Sequence, residues 1–81
     1  MNAKKRRQNE QEFGAWMDLP LGGRRYWYEV RGRQGWKARY VKETDAEEIT
    51  VSFYQEIYDT EGTLVEVHPK YPVDRGHRRV S

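Results

Sequence analysis

The chain has no cysteine, only three prolines and no apolar run long enough to cross a bilayer. The first absence excludes disulfides and thiolate metal sites, so a small fold must stand without either. The last excludes a helical membrane span, which needs about 20 apolar residues. No hydrophobic segment follows the basic N-terminus, so a soluble, cytoplasmic protein is expected. Net charge is scarce too: 15 Lys and Arg against 13 Asp and Glu leave +2. Nucleic-acid binding therefore cannot be argued from the total, only from where the charges gather. There is no nucleophile motif and no glycine-rich phosphate loop, because Gly32-Arg33-Gln34-Gly35 is short and accounted for as a turn. No cofactor is implied.

What is abundant is aromatic: 3 Trp, 6 Tyr and 2 Phe among 81 residues. A chain of this length makes one domain, and its core supplies only about 3–5 kcal/mol. Rings that bury about 150–250 Å² each can make up for few aliphatics. Association with a second copy or a protein partner is a natural expectation for such a core.

Residues 1–9, with Lys4-Lys5-Arg6-Arg7, read as a mobile basic arm, residues 10–72 as the single folded domain, and residues 73–81 as a flexible tail. Asn9 and Glu12 have the spacing of a helix cap, and Phe13, Trp16 and Met17 fall on one helical face ahead of Pro20. Phe13, Ala15 and Met17 also alternate as a strand would, and Gly14 disfavours a helix interior. A short N-terminal helix is the expectation.

Period-two alternation begins at Arg24, with Tyr26, Tyr28 and Val30 on one side and Arg25, Trp27, Glu29 and Arg31 on the other. A three-residue turn, Arg33-Gln34-Gly35, pairs Gly32 with Trp36, Val30 with Ala38 and Tyr28 with Tyr40. A four-residue loop, Glu43-Thr44-Asp45-Ala46, would set Tyr40 across from Ile49 and Trp36 across from Phe53. Asp59-Thr60-Glu61-Gly62 reads as a type I turn that sets Ile57 against Val65 and Gln55 against Val67. Pro69 and Pro72 put the last strand at an edge, ending near Tyr71. The fold class is mainly β, or α+β if the helix forms. The sheet is a four-stranded antiparallel meander, curled or closed partway as an SH3-like half-barrel.

That register gathers Arg25, Trp27, Arg31, Lys37, Arg39, Tyr54 and Tyr58 on the polar side. Cations beside flat rings are the combination that holds phosphates and stacks bases, so single-stranded nucleic acid is the first expected partner. The same face also fits plain solvation, or burial against a homodimer or another protein, since arginine stems and tyrosines suit half-exposed strands. Arg39 opposite Glu29 is an ordinary ion pair, whereas Arg31 opposite Lys37 is a like-charge pair that either splays into water or holds an anion between its members.

His68 lies beside Tyr54 in this register and is a weak candidate for proton transfer in a small ribonuclease, with Glu56 facing Glu66 as a shared carboxylate pair. His77 is nine residues away, a spacing that matches no zinc site, so no metal is expected.

The run Arg24-Arg25-Tyr26-Trp27-Tyr28, then Gly35-Trp36-Lys37-Ala38-Arg39-Tyr40, then Tyr58-Asp59 with Gly62 and His68-Pro69-Lys70-Tyr71-Pro72, resembles a group of short uncharacterised prokaryotic proteins. The likeness covers about Gly22 to Val80 and implies a prokaryotic cytosolic origin. It carries over no catalytic or binding residue.

Overall fold

The computed structural model describes residues 2–72 and the backbone pair Arg78–Arg79. Helix α1 spans Ala3–Phe13 and is followed by β1 (Ala15–Asp18), β2 (Arg24–Arg31), β3 (Lys37–Thr44), β4 (Thr50–Tyr58), β5 (Leu64–Tyr71) and a two-residue β6 (Arg78–Arg79). The strands form one antiparallel sheet in the order β1-β2-β3-β4-β5-β6, open at both edges. A mainly β protein with one short N-terminal helix is therefore what the chain forms. The four long strands are those of the sequence reading, with the short β1 and β6 added at the flanks. Among the described residues no helix is long and apolar enough to cross a membrane. The tail from residue 73, apart from β6, and His77 lie outside the described residues.

The N-terminus corrects the sequence reading. The segment expected as an arm is helical from Ala3, capped by the Asn2 side chain, which accepts from the Lys5 amide at 3.1 Å. Gly14 is the cap that ends the helix: it takes φ +81°, and its N–H donates to the Glu10 carbonyl. A glycine that would weaken a helix interior is well suited to this left-handed exit. Trp16 and Met17 therefore lie on a strand, and their side chains part. Trp16 pairs with Tyr26 on the ring-rich side, while Met17 pairs with Arg25 on the polar side.

The three hairpins between the long strands share one closure, which the β1–β2 turn repeats, with Leu19 donating to the Gly23 carbonyl and Gly22 at φ +90°. Gly32 donates to the Trp36 carbonyl, Asp45 to that of Ile49, and Asp59 to that of Thr63, each across three residues. The last residue of each loop is left-handed: Gly35 at φ +80°, Glu48 at +64° and Gly62 at +81°. In the second and third loops the aspartate Oδ1 accepts two backbone amides, which fixes the turn. The first hairpin carries the expected register throughout β2 and β3.

The second hairpin differs from expectation. The loop is Ala46-Glu47-Glu48, and Tyr40 meets Gln55 rather than Ile49, while Phe53 faces Lys42 rather than Trp36. Relative to the expected pairing β4 has moved by six positions, an even number, so every side chain keeps its face. The turn alone would put Tyr40 opposite Tyr54. A bulge between Glu43 and Thr44 adds the residue that restores the rings to one side.

The third hairpin closes as expected, with Tyr58 opposite Leu64. A register shift between Ile57 and Tyr58 then sets Glu66 against Ile57 and His68 against Gln55. A one-residue slip reverses faces, so His68 is on the side of Gln55 and not beside Tyr54, and Glu56 faces Val67 instead of Glu66. A second shift returns Tyr71 to Phe53.

The core lies where α1 meets β2, β3 and the Asp45–Ile49 closure. Among the described residues the buried apolar side chains are Phe13, Tyr26 and Val41, and the buried polar ones are Asn9, Thr44 and Glu48. Glu48 is fully enclosed. It accepts from Tyr26 Oη (2.5 Å), Asn9 Nδ2 (3.1 Å) and Arg6 Nε (2.8 Å), while Lys42 Nζ donates to Asn9 Oδ1 at 2.9 Å. Gly23 passes so near that a Cβ there would sit 2.4 Å from the Thr44 carbonyl oxygen. Burial by itself would raise the Glu48 carboxyl. The three donors, Tyr26 first, more than offset it and hold the group below its ordinary 4.5.

A lowered carboxyl stabilises the fold above the unfolded value and loses that contribution as pH falls through the folded one. Urea unfolding should show stability dropping as the pH goes below about 4.5, the value of the free group. Glu48→Gln should cost about 1–3 kcal/mol at neutral pH, the range for unsatisfied buried groups, and should flatten that acid limb. An unchanged acid limb in the variant would assign it to other carboxylates.

Candidate functional site

The polar side of the sheet brings together most of the residues expected there. Arg25, Trp27, Glu29 and Arg31 alternate on β2 and face Glu43, Val41, Arg39 and Lys37 on β3. Val41 is then followed by Tyr54, Arg39 by Glu56, and Lys37 by Tyr58 on β4. A hollow of about 170 Å³ opens among Arg25, Trp27, Arg39, Tyr54, Glu56 and Tyr58. His68 takes no part in this face.

The cations in the middle of this side are held by carboxylates. Arg25 Nε binds Glu43 Oε2 at 2.8 Å, and the same oxygen accepts Tyr54 Oη at 3.0 Å. Arg39 donates twice to Glu29 Oε2, at 3.1 and 2.7 Å, as the register implied. Its guanidinium also lies 5.3 Å from the Tyr58 ring centre and 5.9 Å from that of Trp27. Tyr58 Oη donates to Glu56 Oε1 at 2.9 Å. Sequence reasoning found the cations and rings but gave Glu43 no part. The signal was present, since Glu43 is opposite Arg25 once the first hairpin is closed.

The site is therefore a ring-lined cluster whose charges largely neutralise one another. Four cations share the side with Glu29, Glu43 and Glu56, and Arg25 and Arg39 are already occupied. Arg31 and Lys37, at the hairpin end, make no side-chain hydrogen bond or ion pair among the described residues.

The opposite side of the sheet is a ladder of rings. Phe13 packs 5.5 Å from Tyr28, Tyr28 stacks on Tyr40 at 5.1 Å, and Tyr40 stacks on Phe53 at 6.3 Å. Gln55 Nε2 donates to the Tyr40 hydroxyl at 3.1 Å. Tyr28, Val30 and Tyr71 remain 38%, 46% and 50% exposed, and Ile49 is about half open as well. A groove of about 470 Å³ runs between the end of α1 and β4, lined by Phe13, Ile49, Phe53 and Tyr71 with Lys42 at its side. Helix α1 covers only the Tyr26 end of this ladder.

No protein-family model, curated protein or solved structure matches the chain.

Burial first, then the carboxylate each one donates to, pushes the phenols of Tyr54, Tyr58 and Tyr26 above the ordinary 10.0. A raised phenol contributes stability that is complete below the unfolded value and is lost as pH rises through the folded one. Spectrophotometric titration should show these three phenols ionising above 10.0, with stability declining above about pH 10. Glu43→Gln should bring the Tyr54 step down only in part, because burial is the larger cause. Ionisation of Tyr54, Tyr58 and Tyr26 at 10.0 itself would contradict this account.

Proposed function

We propose that this protein is a self-associating interaction domain, and that the open ring face of its sheet is the surface through which two copies meet. The carrying observation is the contrast, among the described residues, between three buried apolar side chains and the half-open Tyr28, Val30, Ile49 and Tyr71. Covering the roughly half of each side chain that is still exposed would remove apolar area from water and supply the centre of an interface, whose standard size is ~800 Å² per partner. A soluble monomer seldom leaves a contiguous patch of this kind open. Two sheets packed face to face at about 10 Å form a sandwich, a stable use of a one-sided sheet.

A second copy is the partner favoured by the small core. A chain that gains so little from its own burial needs cover whenever it folds, and another copy is always present when it is made. A two-fold contact also lets the same stacked tyrosines of each copy meet. The polar face supports this reading less, because Glu43 and Glu29 already hold Arg25 and Arg39.

Sedimentation equilibrium across a concentration series should give twice the chain mass. Val30→Glu and Tyr71→Glu, both at exposed positions, should each weaken association at least about 30-fold, as loss of a 2 kcal/mol anchor does. Far-ultraviolet circular dichroism should confirm that the variants remain folded. A single-chain mass for the unchanged protein at high concentration, or a dimer indifferent to both charges, would overturn the reading.

A further inference from the structure

We infer that Arg31 and Lys37, at the far end of the β2–β3 hairpin, form an anion site that takes a phosphate group. The register sets the two residues directly opposite each other. Gly32 donates to the Trp36 carbonyl at 2.7 Å, so the pair before it in the ladder is the closer, non-hydrogen-bonded kind, with Cα atoms about 4.5 Å apart. Like charges placed there repel.

The rest of the hairpin makes the pair stand out. Of the six cations on β2 and β3, four are engaged: Arg24 by Glu10 and Asp18, Arg25 by Glu43, Arg39 by Glu29, and Lys42 by Asn9. Arg31 and Lys37 are both exposed. Glu29 feels Lys37 through space, but its hydrogen bonds go to Arg39. Of the two acids on the neighbouring turn, Asp59 is occupied in closing it, while Glu61 is exposed to water.

Both cations line a hollow of about 500 Å³ that continues past Gly35 and Trp36 to Thr60, with Asp59 and Glu61 on its far wall. The packing there is tight: a Cβ on Gly35 would meet Thr60 Cγ2 at 2.8 Å. The hairpin end thus has a fixed backing. A phosphate seated between a guanidinium fork and an ammonium relieves their repulsion and gains charge-assisted hydrogen bonds. Trp36, 38% exposed beside them, offers a ring to whatever carries the phosphate.

The phosphate can be free, or part of a single strand of nucleic acid, and the test separates the two. Labelled protein is titrated at constant ionic strength with inorganic phosphate and, in a second arm, with a short oligothymidylate. Arg31 Nε–H and the amides of Arg31, Gly35 and Lys37 should shift saturably, while those of Lys4 and Lys5 stay still. Saturation by phosphate alone identifies the free anion as ligand, and saturation at lower concentration by the strand identifies the diester.

Thermal unfolding supplies an independent readout. Lys37→Gln should unfold at a higher temperature than the unchanged protein in phosphate-free buffer, since the repulsion is gone, and should lose the stabilisation that phosphate gives. Three outcomes would overturn the site: no saturable shift in either arm, equal shifts at every exposed lysine and arginine, or a Lys37→Gln protein that responds like the original.

Discussion

One buried carboxylate organises this protein. Glu48 ends a turn in a left-handed conformation that costs an L-residue about 1–2 kcal/mol. In the equivalent place the other three hairpins have glycine, at 22, 35 and 62, which adopts that conformation freely. The difference is explained by what the side chain does. It reaches into the interior and gathers Arg6 and Asn9 from the helix and Tyr26 from the sheet. A buried charge is costly without partners and strongly missed when one is removed. The helix, the second turn and the middle of the sheet are therefore held to one another by a single group.

The bulges act with that group. Closing the Asp45–Ile49 turn puts Glu48 under the helix, but in an uninterrupted ladder it would also turn the rings of β4 to the wrong side. The extra residue of β4, Val51, set opposite the Glu43–Thr44 step, removes the conflict. The strand can then satisfy both the buried carboxylate and the Tyr28–Tyr40–Phe53 stack. At the other end of β4 the shift beside Tyr58 has the opposite result, exchanging the sides that His68 and Val67 occupy.

This explains which features were legible in the residues. Period-two alternation and the glycine at 35 were enough to place β2 against β3 residue by residue, and the Asp59–Gly62 turn was read correctly. Face assignments on β4 survived a wrong loop because the displacement was even. Those on β5 did not, because a bulge has no mark in the chain. The turn at Glu48 was missed for the lack of glycine, and the helix start was missed because Lys4 to Arg7 looked like solvated charge. Glu48, 42 positions from Arg6, and the Gly22 carbonyl give that stretch something to bind. Of the candidate site, the identities and spacing of the cations were readable, but their neutralisation by Glu43 depended on side-chain directions.

The anchoring of the helix also decides how much of the sheet stays open. Eleven residues at about 1.5 Å each make a rod of about 16 Å, roughly 10 Å across with its side chains. The four long strands, of eight or nine residues, extend about 27–31 Å, and with β1 the five side by side span about 19 Å between outer strands. Pinned by Arg6 and Asn9 at the Glu48 end, with Phe13 as its last residue, the helix reaches Tyr28 and stops at Gly14. Covering Val30, Phe53 and Tyr71 as well would require it to leave Glu48 or to continue past its cap. The interaction that gives the fold its core is thus the one that leaves half the ring ladder for something else to cover.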